Sequence, residues 1–264
     1  MKDEALALVE DVENPLAKLN RLREYLQALV LRSLHEVEAF SSIAFVGGTA
    51  LRFLENLPRF SEDLDFSLVQ RDDYKPERWL KKAKRDLQFA GLDCSITWKQ
   101  KKTLNLARVR IAGLLKDAGL SAHKNQNLSI KLEIDIMPPK GADLKRTMVT
   151  RFVTMALCHY TLESMMAGKV HALLTRPYPK GRDWYDLIWY RSHRPPLTPK
   201  QKLLQNALDQ TLGKGNLKAA HWRKLLKEKL GSLKIEQLAK DVYPFLERSE
   251  ERHLLTRENL EMVL

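Results

Sequence analysis

Residues 47–66 read GGTALRFLENLPRFSEDLDF, and this stretch decides the fold. The apolar run Ile43-Ala44-Phe45-Val46 before it predicts a short buried strand. Gly47 and Gly48 predict a turn, after which Thr49 is placed to cap a helix over residues 50–56 that Pro58 ends. Residues 63–68 then alternate as a strand. In that conformation Asp63 and Asp65 share one face, about 7 Å apart at Cα, while Leu64 and Phe66 anchor the other face in the core. Two carboxylates at that span suit Mg²⁺, which binds through a few carboxylates, phosphate oxygens and water rather than a closed protein cage. A strand, a glycine pair and a helix start also present backbone N–H groups at a positive helix end, an arrangement that binds phosphate. The pattern is not a Walker loop, because the lysine of GxxxxGK[ST] is absent, and it is not a dinucleotide fingerprint.

Working outward, residues 3–14 and 16–39 predict helices, the second amphipathic through Leu19, Leu22, Leu26, Leu29, Val30 and Leu34. A basic helix, PERWLKKAKRDLQFAG, begins at Pro76 and closes before Gly91. Strands follow near 93–98, 104–112 and 128–137. The last, LSIKLEIDIMPP, sets Leu132, Ile134 and Ile136 on one face and Lys131, Glu133 and Asp135 on the other. From about residue 160 the periodicity is helical, with TLESMMAGKVHALLTR and RDWYDLIWYRS as two helices and three or four more to the end. The expectation is an α+β, mixed α/β protein. A sheet domain with N-terminal helices spans 1–150, and a helical domain follows over 151–264. Pro195-Pro196 offers a further boundary.

Composition bounds the function. The 264 residues carry a net charge of +12, unevenly spread. Residues 1–70 hold 7 Lys/Arg against 12 Asp/Glu, whereas residues 71–150 hold 18 against 9. A basic surface of that kind attracts polyanions, nucleic acid above all. No apolar run is long enough to span a membrane, and the N-terminus carries acids where a signal peptide carries bases, so the expected location is the cytoplasm. Cys94 and Cys158 stand too far apart for a disulfide framework or a zinc site and are expected as reduced core thiols. No hydrolytic triad is present in recognisable form. His171 lacks a second histidine at ligand spacing and reads as structural.

Three further features bear on chemistry. Glu133 and Asp135 each offer the third carboxylate of a two-metal arrangement, and spacing does not choose between them. Lys169 lies mid-helix among Met165, Met166, Val170, Leu173 and Leu174, where a lysine either snorkels to water or holds a triphosphate as a point charge. Asp183 and Asp186 fall at i and i+3 on one helix face.

The ordered set Gly47-Gly48-Thr49, Arg59-x-Ser61-x-Asp63-x-Asp65-Phe66, an acidic strand, Lys169 and Arg182-Asp183-x-Tyr185-Asp186-Leu187 resembles the AbiEii/AbiGii-type nucleotidyltransferases. These are toxins of type IV toxin–antitoxin systems, related to the MenT-type toxins that modify tRNA. The resemblance covers roughly residues 40–192. It implies a DNA polymerase β-like minimal nucleotidyltransferase domain that transfers NMP from an NTP to an acceptor hydroxyl with Mg²⁺ or Mn²⁺. By that resemblance Gly47, Gly48 and Thr49 contact the triphosphate and Ser61 supports its phosphates. Asp63 and Asp65 bind metal, with Glu133 or Asp135, the latter slightly favoured, as third carboxylate. Lys169 stabilises nucleotide phosphates, and Asp183 with Asp186 completes the acidic helical side. Its expected partners are RNA, the 3′ end of tRNA foremost, and a cognate antitoxin, with no membrane. Arg71, Arg78, Lys81, Lys82, Lys84, Arg85, Lys99, Lys101 and Lys102 are candidates to hold the RNA by its phosphates. The same chemistry on a protein or small-molecule acceptor, and a catalytically idle binding protein, are the competing readings. The turn departs from the common Gly-Ser of the wider superfamily, and thirteen residues separate Thr49 from Asp63.

Overall fold

In the computed structural model, which describes residues 1–123 and 125–264, β1 (Ile43–Val46) is buried throughout its first three positions and runs straight into α3 (Gly47–Glu55). The segment ahead of it contains α1 (Lys2–Ala7) and α2 (Pro15–Glu36), the latter capped by Asn14, whose Oδ1 accepts from the Leu16 and Ala17 N–H groups. The first helix is shorter than the sequence suggests, giving way to turns after Ala7. Next come β2 (Asp63–Leu68), α4 (Pro76–Phe89), β3 (Asp93–Lys99), β4 (Leu104–Ala112), α5 (Leu114–Asp117) and β5 (Leu128–Asp135). Two strands follow that periodicity did not announce, β6 (Leu144–Val149) and β7 (Met155–Tyr160). The remainder is helical: α6 (Leu162–Thr175), α7 (Gly181–Ser192), α8 (Gln201–Leu212), α9 (Trp222–Gly231), α10 (Ile235–Val242) and α11 (Arg257–Val263).

The residues group into two units. One comprises Met1–Asn56, Phe60–Met137 and Arg146–His159; the other comprises Leu57–Arg59, Pro138–Lys145 and Tyr160–Leu264. The sheet has seven strands in the order β3-β4-β5-β2-β1-β7-β6. It is mixed: β2 runs antiparallel to β1 and parallel to β5, β4 is antiparallel to both β3 and β5, and β1 is parallel to β7.

Alternation gives the sheet two unlike faces. Leu64 and Phe66 of β2 and Leu128, Ile130, Leu132 and Ile134 of β5 are buried. Phe66 stacks on Phe45 with ring centroids 5.4 Å apart. Helices α2 and α4 pack against each other, α2 also touching β5 and α4 touching β3. Asn105, on the buried face of β4, receives this side directly: its Nδ2 donates to the Tyr74 hydroxyl at 2.8 Å, and Tyr74 packs edge-on against Trp79 of α4. The other face presents Asp63 and Asp65 from β2 and Lys131, Glu133 and Asp135 from β5, none of them fully buried. Cys94 and Cys158 are buried free thiols, and burial pushes Cys94 up to about 11. Among the described residues no helix is long and apolar enough to cross a membrane.

Candidate functional site

The glycine pair is not a separate turn before a helix. Gly47 and Gly48 are themselves the first residues of α3, and Val46 is its N-cap without a side-chain cap bond. Thr49 does not cap: its hydroxyl donates instead to the Asp63 carbonyl, tying α3 to the start of β2. The first-turn amides of α3, those of Gly47, Gly48 and Thr49, are groups that an α-helix leaves without intrahelical acceptors. Gly47 is required twice over. Its φ is +81°, and a Cβ there would sit 2.5 Å from Asp65 Oδ2. The absent side chain is therefore the space that the Asp65 carboxylate occupies.

Register places the acids beside one another. Val46 of β1 pairs with Asp65, and Asp65 pairs with Glu133; Asp63 pairs with Lys131, and Ser67 with Asp135. Lys131 Nζ lies 3.1 Å from Asp63 Oδ2 and 3.2 Å from Glu133 Oε1. Burial works against that ammonium, but the two carboxylates outweigh it and hold its pKa above the ordinary lysine value. Asp135 stands two positions further along β5, where its Oδ1 accepts the Met137 N–H at 2.9 Å. Burial pushes its carboxyl up despite that bond. The segment entering β2 is pinned by Gln27 of α2, whose Nε2 donates to the Ser61 and Glu62 carbonyls at 3.1 and 3.0 Å. Ser61 is half-buried.

Among the described residues no three acids, histidines or cysteines converge as a preformed metal cage. The donors that are present fit an ion of another kind. Asp63 and Asp65 offer hard oxygen donors on one face, with the Asp65 carboxylate seated where Gly47 has no side chain and the first-turn amides of α3 beside it. Mg²⁺ takes such sites through one or two carboxylates and completes its shell from substrate phosphate and water.

The second unit builds a different set. Lys169 on α6 and Asp183 and Asp186 on α7 do come together, and Arg59 joins them. Arg59 grips Asp186 through Nε and one terminal nitrogen, each 2.6 Å from a carboxylate oxygen. Lys169 Nζ lies 2.8 Å from both Asp183 Oδ1 and Asp186 Oδ2, and Arg176 also contacts Asp183. Asp186 is wholly buried and Arg59 nearly so. Burial alone would raise the Asp183 carboxyl, but Lys169 and Arg176 outweigh it and hold it below the usual carboxylate range. Burial alone would lower Lys169 and Arg59, but the two carboxylates keep both raised. Among the described residues Arg59, Lys169 and Arg176 gather around these two carboxylates. Helix α7 is set in place from α10: Asp241 Oδ2 accepts the Gly181 N–H at 2.7 Å, and a Cβ on Gly181 would collide with the Leu238 carbonyl.

Sequence reasoning did not find Arg176, Lys131's grip on two acids, or Arg59's partner. Arg59 lies 127 residues from Asp186, beyond any local pattern. Lys131 shares the polar face of KLEIDI with Glu133 and Asp135 but carries no signal of its own. His171 is structural in its contacts, with Nε2 at 2.8 Å from the Thr211 hydroxyl.

Comparison with known proteins bears on this arrangement. The family described as nucleotidyl transferase AbiEii toxin, type IV toxin–antitoxin system, matches residues 29–257. Among solved structures, JHP933 from Helicobacter pylori is 18% identical over 91% of this chain and 90% of its own, with a TM-score of 0.50. A second H. pylori structure is 18% identical over 92% of this chain and 96% of its own, with a TM-score of 0.49. Among curated proteins no sequence matches the chain.

Proposed function

The chain belongs to the AbiEii family of nucleotidyltransferase toxins of type IV toxin–antitoxin systems, and from that premise we propose that it transfers NMP from an NTP to a hydroxyl of RNA, at the 3′ end of tRNA. The observation that carries this reading is the placement of Asp63 and Asp65 on one open face of β2, against the space left by Gly47 at the start of α3. In the proposed reaction the acceptor oxygen attacks the α-phosphorus. The bond from that phosphorus to the β-phosphate oxygen breaks, and pyrophosphate leaves. The hydroxyl proton passes to a carboxylate of β5, Glu133 or Asp135. When bound, Mg²⁺ or Mn²⁺ supplies neutralisation of the triphosphate charge. Asp63 and Asp65 hold it, with Glu133 or Asp135 as third carboxylate.

The protein's remaining work is positioning and charge compensation, which is most of what phosphoryl-type transfer requires. The α3 amides of Gly47, Gly48 and Thr49 receive the triphosphate, and the Ser61 hydroxyl supports it. By the family resemblance Lys169 is assigned to stabilise nucleotide phosphates. Asp183 and Asp186 act through Lys169 and Arg59, keeping both cations charged although buried. Membership of a type IV toxin family implies a cognate antitoxin. A cytoplasmic site of action accords with NTP and RNA as substrates.

The test is incubation with each labelled NTP, Mg²⁺ and total RNA. Label is expected in RNA and is expected to vanish in Asp63→Ala. Label on protein or a small molecule, or label that survives the substitution, overturns the reading.

A further inference from the structure

The open face of the sheet changes charge from one side to the other. On the β2–β5 side stand Asp63, Asp65 and Glu133; on the β3–β4 side stand Lys99, Arg108 and Arg110. Register lays them out in rows. Thr97, Arg108, Lys131 and Asp63 are successive partners across four strands, and Lys99, Leu106, Glu133 and Asp65 form the next row. Paired residues project to the same side, so the arginines share the face of the carboxylates. Among the described residues Lys99, Arg108 and Arg110 have no acidic partner, and Lys99 and Arg108 are exposed. Arg108 and Arg110 stand about 7 Å apart along β4, the spacing of neighbouring phosphates on an extended strand. Where the Arg108 row meets Asp63, a cavity of about 410 Å³ has Arg23, Glu62, Asp63, Arg108, Ser129 and Lys131 among its lining residues, within the size range of small-ligand sites.

Helix α4, the most basic segment by sequence, belongs to the other face. It buries Trp79, Leu80, Ala83 and Leu87, and its neighbour Tyr74 binds Asn105, whose side chain points away from Arg108 and Arg110. Lys82 is already held by Glu36 and Asp86.

Resting on the nucleotidyltransferase reading, we propose that the RNA acceptor lays its phosphodiester backbone over the β3–β4 face. Arg108 and Arg110 hold successive phosphates, the cavity beside Asp63 takes the nucleotide adjacent to the reacting hydroxyl, and α4 takes no part. The charge complementarity is direct, and the track is continuous with the carboxylates where the hydroxyl must arrive.

The experiment measures tRNA binding by fluorescence anisotropy, without NTP or metal, over a series of salt concentrations. Arg108→Gln/Arg110→Gln is compared with Lys81→Gln/Arg85→Gln on α4, each checked for an unchanged melting curve. Arg108→Gln alone serves if the double variant does not fold. Each lost phosphate contact lowers the slope of log K against log salt by about 0.7 for a single strand. The sheet-face double variant should therefore lose about 1.4 in slope and about tenfold in affinity, with KM for RNA raised and KM for NTP unchanged. The α4 variant should bind as wild type. Equal losses in both variants, or a larger loss from α4, overturn the proposal. So does retained tRNA binding with loss only of a protein partner. Should Asp63→Ala abolish transfer while Arg108→Gln/Arg110→Gln binds tRNA normally, this track fails and the nucleotidyltransferase reading stands. Transfer by the wild type to a non-RNA acceptor overturns both.

Discussion

Two pairs of aspartates in this chain are spaced to share a face, and the fold treats them in opposite ways. Asp63 and Asp65 alternate on a strand whose polar side is open to water, and their neighbours are a glycine, a threonine hydroxyl and the half-exposed Lys131. Asp183 and Asp186 lie one helical turn apart with their carboxylates buried, and Arg59, Lys169 and Arg176 close around them. An exposed carboxylate keeps lone pairs for a ligand. A buried one must have its charge answered by the protein, or folding bears the desolvation. The first pair is thus only partly covered by the protein, while the second is committed to holding cations.

The comparison breaks most visibly at Asp186. Asp186→Ala leaves Arg59 and Lys169 without their shared carboxylate, and removal of one partner from a buried pair costs about 3–5 kcal/mol. Urea denaturation should show that loss, whereas Asp63→Asn should move the midpoint little. A stable Asp186→Ala protein would put the two pairs in one class. Next comes Gly47→Ala. It combines a φ of +81° with a Cβ 2.5 Å from Asp65 Oδ2. Strain of that sort costs about 1–3 kcal/mol, and transfer should fall with stability because the carboxylate is displaced. A third test uses acid. The folded value of Asp183 lies below its unfolded value, near 3.9, so its contribution to stability is complete above that pH. The contribution is lost as pH falls through the depressed folded value. Melting of the wild type should drop more steeply below about pH 4 than melting of Asp183→Asn. Equal slopes would mean that Asp183 is not held by its cations. The smallest effect belongs to Lys131→Met. Its two ion pairs are about one-third exposed, and such pairs contribute about 0–1 kcal/mol. A larger loss in thermal melting would move Asp63 toward the buried class.

The half-buried β2 pair is legible in the sequence. Strand alternation at 63–68 and 128–135 is local, and it alone sets Asp63, Asp65, Glu133 and Asp135 on one face. The amphipathic helices α4, α6 and α7 were legible on similar grounds. The buried network was not, because Arg59 finds its partner only through tertiary packing. Thr49 follows two glycines as a cap residue does, but a long-range bond to the Asp63 carbonyl takes its hydroxyl instead. Strands β6 and β7 escaped notice for different reasons. Most of β6 is exposed, as suits the last strand of the sheet, and its sequence, LKRTMV, has no apolar alternation. The other strand, MALCHY, is mostly buried and runs almost directly into the Thr161 cap of α6, so it reads as the beginning of the helical region.

The division between acting and holding carboxylates is tested most directly by one variant measured two ways. Asp65→Asn keeps the shape of the side chain and removes its charge. Labelled-NTP transfer to RNA should fall by about a hundred- to a thousandfold, the scale on which loss of a key transition-state charge partner acts, while thermal melting stays at the wild-type value. Transfer within a few-fold of wild type, or an unfolded Asp65→Asn protein, would contradict the account.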